Sequence, residues 1–395
     1  MIAAATVGGI LLASVTLYAV LGGADFGGGL WDLLAGGDRR GRAPRRLIDE
    51  TITPVWEANH VWLVFDLVIF WTAFPDAFAA VMTTVALPLW LALLGIVLRG
   101  AGFAFRKEAS GPGLQRAFGA TFAFSSLLTP FFMGTVIGAI ATGHVRAGAS
   151  QPSLAAWTNA TSLLAGFMFV GACGYLAAVY LTGEAARSGD AVLKAYFTRR
   201  AQAAGIVTGA LSLAALAELH SSDVALFSRL TGRALPLVIV AGLSGIAVVT
   251  LLAASRRTTG WVMIAVRVIA ALGVAAVVWG WGVAQYPVLL PGTAVTLSNA
   301  GAPHTTMVAL VALFIVVVLV IGPAFALLFS LHGHRLLNAG DGEPLSAVAS
   351  AGTQSPAGPP RQQPARQRPG ARNTMLGLVA VAALVRAALR RRRDR

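Results

Sequence analysis

The chain has 395 residues, of which 56% are hydrophobic and only 12% charged, and its mean hydropathy is +0.73. So few charges could not cover a soluble protein of this length, which excludes a water-soluble globular fold and makes lipid the solvent. The formal charge of +14 comes mostly from arginine in the loops and the C-terminal region. Anionic headgroups beside a membrane protein account for that charge without nucleic acid as a partner.

In chain order, the apolar run from Ile2 to Leu21 has no basic stretch before it and no small-residue cleavage site. It reads as a retained first helix and not a signal peptide. Spans are expected at 2–23, 56–74, 78–98, 117–141, 157–181, 201–219, 234–254, 262–284 and 306–331. These make about nine transmembrane helices and an all-α polytopic membrane protein. Pro88, Pro130 and Pro323 fall inside spans, where neighbouring helices must satisfy the freed carbonyls. Gly166, Gly171 and Gly174 allow close helix approach, and the lone Cys173 reads as a small packing residue.

The loops set the orientation. Those after the first, third, fifth and seventh spans hold 15 basic residues, Arg99 and Arg187 among them, against 3 in the alternating loops. The positive-inside rule then puts the N-terminus outside and, after nine spans, the C-terminus in the cytoplasm. The chain divides into a transmembrane domain over 1–335, a Gly-, Pro- and Ser-rich linker over 336–373 expected to be disordered, and a short amphipathic basic segment over 374–395.

Ionisable groups at membrane depth mark the sites to consider first. Arg267 lies one turn into the eighth span, where it can snorkel to the headgroups. The densest polar stretch runs from Thr53 to Asp66, with Thr53 as N-cap and Pro54 in the first turn of the second span. Glu57 and His60 share one helix face, while Asn59, Trp62 and Asp66 share another. Glu57 reads equally as a carboxylate favoured by the helix dipole or as a proton carrier. His60 alone reads as a packing residue, and Asp66 must be neutral, paired or facing water. In the glycine-rich run Gly22–Gly29, placed at the end of the first span, Asp25 is either an interfacial charge or the mouth of a proton path. The six histidines lie near expected helix ends, with no facing mid-membrane pair to sandwich a haem.

Four segments together resemble subunit II of cytochrome bd-type quinol oxidases. They are GGADFGGG at Gly22–Gly29, TPVWEANHVWL at Thr53–Leu63, RGAGFAFR at Arg99–Arg106 and WGWGVAQYPVLLP at Trp279–Pro291. The resemblance covers roughly residues 1–335. It implies two four-helix bundles plus one peripheral helix in a bacterial plasma membrane. It implies a haem-bearing subunit I as partner, haems b and d held by that partner, quinol as substrate and no haem or metal on this chain, with room for a small accessory subunit. It further implies that the positions held here by Glu57 and Asp25 lead protons from the cytoplasm. This chain has glutamate where more familiar members have aspartate, and His60 where they often have a carboxylate; Asp66 lies outside the pattern. The alternatives are a proton-coupled secondary transporter, against which stands the lack of a strong inverted repeat, and an anchoring protein with inert carboxylates.

Overall fold

A computed structural model describes residues 2–52, 56–108, 111–254 and 260–339. The chain folds into α1 (Ile2–Leu33), α2 (Asp38–Ile52), α3 (Trp56–Ala73), α4 (Pro75–Thr84), α5 (Ala86–Glu108), α6 (Pro112–Ala141), α7 (Ala155–Thr158), α8 (Ala160–Arg187), α9 (Ala191–Ser222), α10 (Val224–Thr231), α11 (Leu235–Ala254), α12 (Gly260–Gln285) and α13 (His304–Ala339). Among the described residues, eight helices are long and apolar enough to cross a membrane, or nine if Asn59–Ala73 and Pro75–Thr84, bent by 119°, form one span. The fold is an all-α polytopic membrane protein. Of the linker expected over 336–373, residues 336–339 continue α13; the rest, with the basic segment over 374–395, lies outside the described residues.

Followed along the chain, the long helices form two groups of four. One comprises α1, α3, α5 and α6; the other comprises α8, α9, α11 and α12; and α13 lies at the side of the first, against α1 and α3. Helix α1 also packs on α8 and α12, and α6 packs extensively on α8, so these two helices join the groups. Small residues make this possible, because apolar helices in lipid gain by close van der Waals packing and not by leaving water. A Cβ at Gly27 would overlap the Cys173 carbonyl of α8, and one at Gly29 would overlap the Ser126 side chain of α6. Trp31 Nε1 donates to the Gly174 carbonyl at 2.8 Å, a further tie between α1 and α8.

Three expectations need correction. The glycine-rich run does not end the first helix at residue 23; α1 continues through it to Leu33, and its glycines serve helix contact and not a turn. The span expected at 78–98 is displaced. Pro75 starts the separate helix α4, Phe74 turns the chain sharply, and the long helix begins only at Ala86. The segment over 38–52, read only as a basic loop, is the amphipathic helix α2, which buries Ile48 and ties Arg45 to Asp32 at 2.8 Å.

Gly27→Ala should separate α1 from α8 and cost roughly 1–3 kcal/mol or more. Gly9→Ala, whose Cβ meets no atom within 4 Å, should be neutral. Thermal unfolding of the purified protein in detergent compares the two; equal melting temperatures would refute tight packing at Gly27.

Candidate functional site

The most buried charges lie in the first bundle. Asp25 on α1 and Arg99 on α5 are 4% and 2% exposed. Arg99 Nη2 donates to Asp25 Oδ1 at 2.7 Å and to the Asp25 carbonyl at 3.1 Å, while Nη1 donates to Oδ2 at 2.8 Å. The guanidinium also lies over the rings of Phe26 and Phe122, 4.8 and 5.0 Å from their centroids. A planar fork that fills both carboxylate oxygens and stacks on two rings is the arrangement in which buried charges are tolerated. Asp25 therefore sits inside a helix and not on an interfacial loop, and Arg99 is a buried partner and not one of the loop charges counted for orientation. A lone aspartate in a glycine run and an arginine read as a loop charge, 74 residues later, gave no local sign that they meet.

Helix α3 brings the other sequence-predicted groups toward α1. Glu57 lies in its first turn, with its side chain outside the described set. His60, one turn on, lies edge-on to Tyr18 and Phe26 at ring separations of 6.3 and 6.1 Å. Asn59 Nδ2 donates to the Leu21 carbonyl at 3.2 Å, which turns the Asn59 face of α3 onto α1. Asp66 shares that face two turns later, is half-buried, and has Ser14 of α1 beside it. Ser14 and Tyr18 were missed from the sequence. Their signal was available, since they are polar groups four residues apart on one face of a mostly apolar helix.

A second ionic cluster lies in the other bundle. Glu184 of α8 accepts from Arg267 Nη2 of α12 at 2.9 Å and also from Arg187. Arg267 donates to the Tyr180 carbonyl at 2.9 Å and lies over the Tyr180 ring, in space left by the missing side chain of Gly183. A carboxylate and a carbonyl on the neighbouring helix thus hold its guanidinium. Among the described residues no group of three His, Cys, Asp or Glu side chains converges as a metal site. His144 lies in the loop after α6, His220 near the end of α9, and His304 at the start of α13.

Fold and site together define a polytopic helical membrane protein with two bundles and buried charge pairs that tie one helix to another. Residues 4–332 match the family model for cytochrome bd terminal oxidase subunit II, and the chain belongs to that family. It is similar to cytochrome bd ubiquinol oxidase subunit 2 of Bacillus subtilis, 30% identical over 123 residues, which are 31% of this chain and 36% of that one. It is also similar to cytochrome bd-I ubiquinol oxidase subunit 2 of Escherichia coli K12, 27% identical over 135 residues, which are 34% of this chain and 35% of that one. The matched segments thus span about a third of the length of these relatives. Among solved structures, the bd oxidase from Geobacillus thermodenitrificans shares the fold, with a TM-score of 0.67 and 22% identity, covering 84% of this chain and 98% of the other.

Removing one member of the Asp25–Arg99 pair leaves an uncompensated buried charge, at a cost of about 3–5 kcal/mol. Asp25→Leu and Arg99→Met should each destabilise the purified protein strongly in thermal unfolding, and the double variant should recover much of the loss. Single variants as stable as the parent would contradict a structural role for the pair.

Proposed function

We propose that the chain is the haem-free subunit II of a bd-type terminal oxidase in a bacterial plasma membrane. With a haem-bearing subunit I it would oxidise quinol and reduce dioxygen to water; haems b and d would be ligated by that partner, and this chain would supply scaffold and a proton route. It would not be catalytic alone. The observation that carries this reading is the family match running from residue 4 to 332, through both bundles and the polar contact of α1 with α3. The basic residues gather at alternate helix ends, near Arg45, Arg116 and Arg187. That pattern supports an outside N-terminus and a cytoplasmic C-terminus.

Quinol gives up electrons and releases protons, while dioxygen takes up as many protons as electrons in becoming water. A membrane-embedded oxygen site therefore needs a polar route from water. Glu57 is assigned the entrance, in the first turn of α3, with Asn59 and His60 the next polar groups along the helix. Asp25 is assigned an anchoring role, since both its oxygens bond to Arg99 and taking a proton would require breaking that fork. Were Glu57 only a partner of the helix dipole, its contribution would be about 0.3–1 kcal/mol and turnover would not depend on its titration.

Glu57→Gln keeps the shape of the side chain and removes its proton exchange. The variant complex should assemble with its haems and consume oxygen at least roughly tenfold more slowly, a loss of about 1.4 kcal/mol or more in transition-state stabilisation. Glu57→Asp should retain much of the rate. Near-normal oxygen consumption by a fully assembled Glu57→Gln complex would make Glu57 structural.

A further inference from the structure

Helices α1 and α3 pack antiparallel in a fixed register. Asn59 bonds to the Leu21 carbonyl at one level, and Ser14 stands beside Asp66 at another. Tyr18 lies between these levels on the same face of α1 as Ser14, four residues away. Asn59 and Asp66, seven residues apart, share a face of α3, and that spacing measures about 10 Å along the helix. Four buried atoms in this seam have no hydrogen-bond partner among the described residues: Asn59 Oδ1, Tyr18 OH, Ser14 Oγ and Asp66 Oδ1. Ser14, Asn59 and Tyr18 are 1%, 1% and 6% exposed, so bulk solvent does not reach them freely.

Buried polar atoms are almost always satisfied by protein or by ordered water, and polar sites with several convergent groups are where internal water is held. Ser14 is the hydroxyl next to Asp66, and neither Ser14 Oγ nor Asp66 Oδ1 has its hydrogen bonding completed among the described residues, which is the situation a bridging water resolves. The charge balance around Asp66 leads to the same place. The elements packed most closely on α3 are α1, α4 and α13. The ionisable groups of α1 nearest this seam are Tyr18 and Asp25, and Asp25 is committed to Arg99; α4 contributes only another acid, Asp76. From Met307 to Val320, α13 is wholly apolar, and on α3 itself His60, which meets Tyr18 edge-on, lies more than a turn from Asp66. No charged partner of Asp66 is found among the described residues, and an unpaired carboxylate at membrane depth is strongly unfavourable.

We propose that the seam between α1 and α3 holds a file of internal water running from Asn59 past Tyr18 and Ser14 to a protonated Asp66, which makes Asp66 an exchangeable proton-holding acid at membrane depth. The inference needs only the packing of α1 on α3. It stands apart from the oxidase reading and from the role of Glu57, and its test does not use haem or turnover.

Infrared difference spectroscopy on the purified full-length protein, with the chains that copurify, supplies that test. The carbonyl stretch of a protonated carboxylic acid should be present, shift in heavy water, disappear in Asp66→Asn and move in Asp66→Glu. Ser14→Ala and Tyr18→Phe remove one hydroxyl each; the first should shift the band and both should alter the water stretches. These two variants and Asp66→Glu carry the comparison if Asp66→Asn does not accumulate. Two results would overturn the proposal. One is the lack of a protonated-acid band assignable to Asp66; the other is a band unmoved by heavy water and by Ser14→Ala, which would mean a dry acid sealed against another chain.

Discussion

Two opposite charges buried between helices can exist only as a pair, and the Asp25–Arg99 pair fixes where α1 must lie. The guanidinium needs both carboxylate oxygens and both flanking rings, so α1, α5 and α6 meet at one level along their lengths. Once α1 is pinned there, its glycines face α8 and α6, and the close approaches at Gly27 and Gly29 follow. Those approaches draw the second bundle against the first. A second tie of similar chemistry, Glu184 with Arg267, fixes α8 against α12 within that bundle.

The pairing also sorts the polar groups by what they can do. Asp25 and Glu184 are held by arginines, and on the proposed reading they act as anchors. The side chains along the contact of α1 with α3, which include Ser14, Tyr18, Asn59 and Asp66, lack such partners at some or all of their polar atoms. A membrane protein that carries protons needs groups of the second kind, mobile in their bonding, supported by groups of the first kind that keep the helices in register. On the proposed reading this is the division between the anchor at Asp25 and the route that begins near Glu57.

Much of the fold was legible because apolar runs of spanning length are a direct consequence of the lipid solvent. Misplaced boundaries had specific causes. Gly22–Gly29 looks like a helix end by the standards of water, but in lipid small residues mark helix contact, and α1 runs on for about ten residues past the expected end at residue 23. Helix α2 was hidden because its arginines were counted as charges and not read as one face of a helix whose other face buries Ile48. The break at Phe74 was signalled by Pro75, yet the apolar run continues past it, so periodicity alone joined α4 to the following helix. Within the site, Glu57, His60 and Asp66 were visible as polar residues in an apolar stretch. The Arg99 and Arg267 pairings were not, since each joins residues 74 or 83 positions apart in the chain.

A subunit that leaves the redox chemistry to a partner makes one direct claim about colour. The visible absorption spectrum of the affinity-purified complex should show haem together with a second, copurifying chain, and the same chain expressed alone and folded should show none. Stoichiometric haem in the isolated chain, lost on substitution of one of its own histidines, would contradict the assignment.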